Sequence, residues 1–147
     1  MTDLLITPVG TEAVAGLLEI ENQCFRNPWS KHHFTSAINS PQMHVCAYHQ
    51  GGSTAGYIVL YIIKDVLVIA NLAVSPDHRR KGIGEDLLNY GLELGKSQGC
   101  GSSILDVRQS NTTAVSLYKK ANYIIIGINQ GYYKNPYEDS YVMGRKI

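Results

Sequence analysis

The chain has 147 residues, 44% of them hydrophobic and 17% charged, with a formal net charge of +1, as expected for one globular domain, residues 1–147, with a buried core. That near-neutral balance argues against a dedicated nucleic-acid binder, and no apolar run reaches membrane-spanning length. Cys24, Cys46 and Cys100 are odd in number and widely spaced, which fits reduced thiols better than a disulfide framework, and His32, His33, His44, His49 and His78 lack metal-ligand spacing. No metal is expected. No leader pattern is visible at the N-terminus, so a cytoplasmic location is expected.

In chain order, Leu4 to Val9 reads as a short strand and Thr11 to Phe25 as a helix, with Val14, Leu17, Leu18 and Glu21 at helical spacing and Thr11 as its N-cap. Asn27-Pro28-Trp29-Ser30 breaks that helix, Ser30 caps a second one through Ile38, and Ser40-Pro41 ends it. Met43 to His49 and Thr54 to Lys64 form a hairpin around Gly51-Gly52, and Val66 to Val74 is a third apolar strand. A helix over 83–98 carries Ile83, Leu87, Leu88, Gly91 and Leu94 on one stripe. Ser103 to Arg108 is then a strand, and Asn111 opens a helix ending near Ala121. Tyr123 to Ile128 and Ser140 to Met143 are the last strands, joined by a tyrosine-rich connection. The order β-α-α-β-β-β-α-β-α-β-β predicts an α/β protein with a mixed sheet and helices on both faces.

The segment His78-Arg79-Arg80-Lys81-Gly82-Ile83-Gly84 lies between a buried strand and a helix. A Gly-rich turn that opens a helix presents free backbone N–H groups backed by the positive end of the helix dipole, which suits a phosphate. Gly82 and Gly84 allow close approach to the main chain, and three neighbouring cations add charge. Basic residues followed by glycines also occur in ordinary surface turns; the order strand, loop, helix favours the ligand site.

Arg79-Arg80-Lys81-Gly82-Ile83-Gly84, preceded by Asn71-Leu72-Ala73-Val74, resembles the Arg/Gln-x-x-Gly-x-Gly/Ala loop of the GNAT acetyltransferases. Leu105-Asp106-Val107-Arg108-Gln109-Ser110-Asn111 through Leu117-Tyr118 is similar to the subgroup that acetylates the N-terminal alanine of a ribosomal protein in bacteria. Asn27-Pro28-Trp29-Ser30, Tyr132-Tyr133, Glu138-Asp139 and Met143 extend the likeness over nearly the whole chain. The resemblance implies a splayed, mostly antiparallel sheet of about seven strands, parted between the fourth and fifth, with acetyl-CoA as co-substrate in the gap. Leu72, Ala73 and Val74 would border the acetyl group, where a main-chain N–H polarises the thioester carbonyl. Arg79, Arg80, Lys81, Gly82, Ile83, Gly84 and Glu85 would surround the pyrophosphate, and Asn111 would contact the cofactor.

By the same resemblance Asp106 is the general base and Tyr118 the general acid. The subgroup usually carries Glu at the first position; Asp falls about 1.5 Å short, a gap that a bridging water can span. A structural carboxylate beside Arg108 is the competing reading of Asp106, and core packing that of Tyr118. An α-amine has a pKa of about 8, so a modest base suffices. Trp29, Tyr132 and Tyr133, with Tyr137, are candidates for a slot that takes an extended N-terminal peptide, with Glu138 or Asp139 attracting a cationic chain.

The leading expectation is an N-terminal acetyltransferase working by direct attack in a ternary complex on a ribosomal protein's α-amine, as a monomer or weak dimer, with neither nucleic acid nor membrane as partner. Alternatives are a GNAT enzyme acting on a small amine or another protein, and a non-catalytic acyl-CoA-binding module. A nucleotide-binding protein would need a Gly-Lys-Ser/Thr that Gly82-Ile83-Gly84-Glu85 lacks.

Overall fold

The computed structural model describes residues 5–147. Seven strands form one sheet in the order β1-β2-β3-β4-β5-β7-β6. These are β1 (Ile6–Pro8), β2 (Met43–Gln50), β3 (Ser53–Ile63), β4 (Val66–Val74), β5 (Ser102–Arg108), β6 (Ile124–Tyr133) and β7 (Glu138–Lys146). Every pairing is antiparallel except β4 with β5. Four helices accompany the sheet: α1 (Val14–Cys24), α2 (Lys31–Asn39), α3 (Ile83–Ser97) and α4 (Thr112–Lys120). Among the described residues no helix is long and apolar enough to cross a membrane.

Strand alternation divides the core in two. On one face Val45, Ala47, Tyr57, Val59 and Ala73 pack under α1 and α2 through Val14, Leu17, Ile20, Phe34 and Ala37. On the other, Ile58, Leu60, Leu67, Ile69, Leu105, Val107 and Met143 meet Leu87, Leu88 and Leu92 of α3 and Val115 and Tyr118 of α4. Helices therefore cover both faces, as the element order predicts. The six residues from Ala55 to Leu60 are buried throughout, which marks β3 as a central strand. α3 lies close against the sheet because Gly91 and Gly95 face it. A Cβ on Gly91 would sit 3.0 Å from Ile58 and Leu60, and one on Gly95 2.8 Å from Leu67.

The start of α1 and the last two strands differ from the sequence reading. Thr11 does not cap α1: it begins a short 3-10 turn, Thr11–Ala13, whose N-cap is Gly10, and the helix starts at Val14. Ser30 does cap α2, in a reciprocal box where its Oγ accepts from the His33 N–H at 3.2 Å and its own N–H donates to His33 Nδ1 at 2.9 Å. The last two strands are longer than their periodicity suggests, so Tyr132 and Tyr133 belong to β6 rather than to a connection. Irregular pairing between Ile125 and Gly127, and again between Asn129 and Tyr133, breaks the alternation that would have marked the strand. Leu4, placed in the first strand from sequence, lies outside the described residues.

The sheet parts where the resemblance implies. β4 and β5 are paired over only four positions, from Val66↔Ser102 to Ile69↔Leu105. β4 shifts register against β3 between Val59↔Asn71 and Leu60↔Ile69, leaving Ala70 as an extra residue. A bulge sharpens the local twist and turns its strand away from its neighbour. Beyond it β4 follows β3 while β5 follows β7, and a gap opens between them.

Candidate active site

Each edge of the gap carries residues singled out in the sequence. On β4, Leu72, Ala73 and Val74 pair with Ile58, Tyr57 and Gly56 of β3 and have no partner on the β5 side. Apart from the Val74 carbonyl, which accepts from Arg79 and Cys24, no ladder bond to β5 occupies the backbone of this stretch. The chain then passes a 3-10 turn, Pro76–His78, into the loop before α3. Arg80 (φ 64°) and Gly82 (φ 79°) both take left-handed conformations, which fold the loop back over the start of the helix. Gly82 is the N-cap and brings no side chain to accept from the first-turn N–H groups. A Cβ built on it would meet nothing within 4 Å. These uncapped N–H groups at the head of a fifteen-residue helix suit an anionic group such as a phosphate.

The charged residues of the loop divide. Arg79, itself exposed, is tied to the end of β4: its Nε donates to the Val74 carbonyl at 3.3 Å and its Nη2 contacts Cys24 Sγ at 3.3 Å. Arg80 and Lys81 are exposed at the rim. Glu85 is held away from the loop by Lys120 of α4, with Nζ 3.3 Å from Oε2. Asn111 caps α4, its Oδ1 accepting from the Ala114 N–H at 3.2 Å, which leaves its amide N–H₂ free to donate.

Asp106 is the first residue of β5 beyond the last β4 pair, so its carboxyl stands at the mouth of the gap. Oδ1 accepts from Ser140 Oγ at 2.7 Å and from Asn129 Nδ2 at 2.9 Å. Those bonds orient the group from behind and leave Oδ2 without a partner among the described side chains. Arg108 does not pair with Asp106; it bridges to Glu138 at 3.3 Å and lies 4.2 Å over the Tyr133 ring. Tyr118 comes from the other side of the sheet. It packs in the α3/α4 core, edge-on to Tyr123 at 5.8 Å, with its hydroxyl in no hydrogen bond to the described residues. Burial, with Tyr123 and Tyr133 nearby, raises its pKa above the usual phenol value, so it stays a proton donor. Asp106 alternates with Leu105 and Val107, whose side chains share Tyr118's core. Carboxyl and phenol therefore flank the gap from opposite faces.

Three further candidates gather on the Asp106 side. Burial, followed by Asp106 and Tyr61, raises the Tyr132 phenol; burial, Tyr132 and then Asp106 raise that of Tyr133. The two rings meet edge-on at 4.9 Å. Trp29 lies on the α1–α2 loop, its indole 5.2 Å from Phe34. That loop faces the β6–β7 turn, where Asn27 Nδ2 reaches the Lys134 carbonyl at 3.5 Å. Tyr137 is set apart, 69% exposed with Lys134 over its ring. Glu138 is committed within the protein rather than free to draw in a cation, whereas Asp139 has only one oxygen engaged. Glu138 accepts from the Ser110 N–H at 2.7 Å and Oγ at 2.9 Å as well as from Arg108, and Asp139 accepts from the Gly131 N–H at 2.8 Å. Both carboxylates satisfy donors of the loops that frame the site.

Ser140 and Asn129, which hold Asp106, were not singled out in the sequence; only the β5–β7–β6 register brings them to it. Glu21 was placed on the α1 stripe, yet it is 2% exposed and a hub of hydrogen bonds. Its Oε1 accepts from the Tyr57 hydroxyl and from Asn71 Nδ2 at 2.8 Å, and its Oε2 from the Trp29 N–H at 2.8 Å. A carboxylate in an otherwise apolar helical stripe was the visible signal. Cys24, beside Val74, is kept a protonated thiol by burial, against the pull of Arg79, which is unsuited to a nucleophile.

The sequence profile described as the Acetyltransferase (GNAT) family matches residues 14–123, from α1 through the gap to the end of α4. The chain belongs to the GNAT acetyltransferase family. It is an acetyl-CoA-dependent N-acetyltransferase. Among GNAT relatives, a Bacillus subtilis protein provisionally assigned as a [ribosomal protein bS18]-alanine N-acetyltransferase is 34% identical over 133 residues, covering 90% of this chain and 88% of its own length. The Escherichia coli [ribosomal protein bS18]-alanine N-acetyltransferase is 27% identical over 144 residues, 97% of each chain. The crystal structure of the E. coli enzyme superposes with a TM-score of 0.88, covering 97% of this chain and 92% of that one. Arabidopsis thaliana NAA60 in complex with acetyl-CoA shares the fold at 20% identity, with a TM-score of 0.85 and 97% of each chain covered.

Proposed function

We propose that this chain, acting as one GNAT domain, transfers the acetyl group of acetyl-CoA to the α-amine of a protein N-terminus, the N-terminal alanine of a ribosomal protein being the acceptor. The observation that carries the reading is the gap between β4 and β5 with Asp106 and Tyr118 on its two faces. Acetyl-CoA supplies an activated thioester. The residues of this chain hold it, keep the amine neutral and accompany the leaving sulfur.

On the donor side, the loop from Arg79 to Gly84 and the first turn of α3 hold the pyrophosphate, and the Asn111 amide adds a contact. A free N–H among Leu72 to Val74 donates to the thioester oxygen, where negative charge develops. On the acceptor side, Trp29, Tyr132 and Tyr133 line the slot that admits the peptide. Asp106 accepts the proton of the α-ammonium, directly or through one water, with Ser140 and Asn129 fixing its direction. The freed amine attacks the thioester carbon across the gap. Tyr118, held protonated by burial, donates to the sulfur as the C–S bond breaks, and the proton shed by the acylated nitrogen replaces the one it gives. The raised thiol of Cys24 favours this direct route over a covalent acyl-enzyme. The relatives named for ribosomal protein alanine acetylation support the choice of acceptor.

The test is mass spectrometry of peptides incubated with the protein and acetyl-CoA. A peptide beginning with alanine is expected to gain one acetyl group on its α-amine. Acetyl found only on lysine, or only on small amines, would overturn the acceptor assignment. Tight acetyl-CoA binding with no acceptor turned over would favour the non-catalytic module.

A further inference from the structure

Glu21 is the only buried charged side chain among the described residues, and no cation pairs with it. Burying a carboxylate costs free energy that an apolar side chain at that place in α1 would not. Its three donors come from three different parts of the fold: Tyr57 on β3, Asn71 on β4 and the main chain of Trp29. The first two fasten the helix to the sheet. The third belongs to the loop between α1 and α2 and plays no part in that fastening.

Asn71 lies one residue past the Ala70 bulge, on the stretch of β4 that borders the gap. Trp29 follows Asn27 and Pro28 on the loop that meets the β6–β7 turn. Glu21 thus ties the edge of the gap to the loop on the acceptor side through a single side chain. Burial and the adjacent Glu21 hold the Tyr57 phenol far above its ordinary pKa, so it remains a donor to this carboxylate.

We propose that Glu21 is a positioning residue for the acceptor: by accepting the Trp29 N–H it sets the distance between the acceptor loop and the open edge of β4. The proposal rests on the N-terminal acetyltransferase reading above. Glu21 touches neither substrate; it acts through the Trp29 backbone. Removing it lets the loop drift while the donor cradle, formed by the 79–84 loop and α3, stays as it is.

Three variants separate this role from general support of the core. Glu21→Ala is expected to raise the peptide KM about tenfold while the acetyl-CoA KM stays within about twofold. Glu21→Gln keeps an oxygen for the Trp29 N–H once the Asn71 amide turns to accept, so its peptide KM should return to within about threefold of wild type. Tyr57→Phe removes a core hydrogen bond but not the loop contact; it should lower Tm and leave the peptide KM unchanged. Equal rises in both KM values, a Tyr57→Phe variant matching Glu21→Ala, or a Glu21→Gln variant as impaired as Glu21→Ala would each overturn the proposal. Should Glu21→Ala not fold, amide exchange of the wild-type chain still decides. The Trp29 N–H should be protected well beyond that of Asn27, and exchange at the rate of an exposed loop amide would refute the contact. That measurement needs no substrate. Failure of wild type to acetylate the peptide would count against the functional reading alone.

Discussion

Tyr118 and Asp106 make different demands on their surroundings. Tyr118 needs a dry site that keeps its proton in place, and the α3/α4 core provides one. Tyr118→Phe should lower kcat at least about tenfold and leave acetyl-CoA affinity nearly unchanged, because the ring still packs and only the donor is lost. Steady-state kinetics with a binding titration check this, and equal turnover would remove Tyr118 from the acid role. Asp106 needs direction more than dryness, and Ser140 and Asn129 supply it through one oxygen. Asp106→Ala should lower kcat/KM by about a hundredfold, whereas Asp106→Glu, carrying the carboxyl further into the gap, should retain activity. An alanine variant with wild-type rates would move the base elsewhere.

At the scale of elements, the loop and the head of α3 make a separable unit. Gly82→Val places a β-branched residue at φ 79° and sets its side chain among the uncapped N–H groups. The acetyl-CoA KM should rise about tenfold or more, with kcat at saturation nearly preserved. Gly91→Ala is the matching control. Its Cβ would press on Ile58 and Leu60 at 3.0 Å, costing about 1–3 kcal/mol of stability while leaving that KM unaffected. Thermal melts beside kinetics separate the two. Much of this level was legible in the chain itself. Val66–Val74, the glycines after it and the Ile83–Leu87–Leu88 stripe report local geometry, and local geometry leaves local marks. What depended on pairing left none. The Ala70 bulge, the Ser140–Asp106 bond and the true length of β6 follow from strands brought together from distant parts of the sequence. Glu138 looked available for the same reason: its partner Ser110 becomes a neighbour only when the β6–β7 hairpin folds over the β5–α4 loop.

Over the whole molecule, buried phenols set the alkaline limit of stability. Tyr57, Tyr118, Tyr123 and Tyr133 all have pKa values raised in the folded state, chiefly by burial. A group with a raised folded pKa contributes its full share below the unfolded value, about 10 for tyrosine, and loses it as pH climbs above that. Tm should hold steady through neutral and mildly alkaline pH and then fall above pH about 10. Tyr57→Phe should flatten that fall, and a Tm unchanged between pH 9 and 11 would contradict the linkage. The gap offers a different consequence at this scale. On the proposed assignment, in which the two candidate catalytic groups stand on opposite faces of the sheet, donor and acceptor enter by separate doors. The bulk of a coenzyme on one side never contends for room with the bulk of a protein on the other. Such a through-sheet opening sets no upper limit on the size of what is acetylated: an acceptor need only thread its first few residues to the seam, whatever the mass trailing behind them.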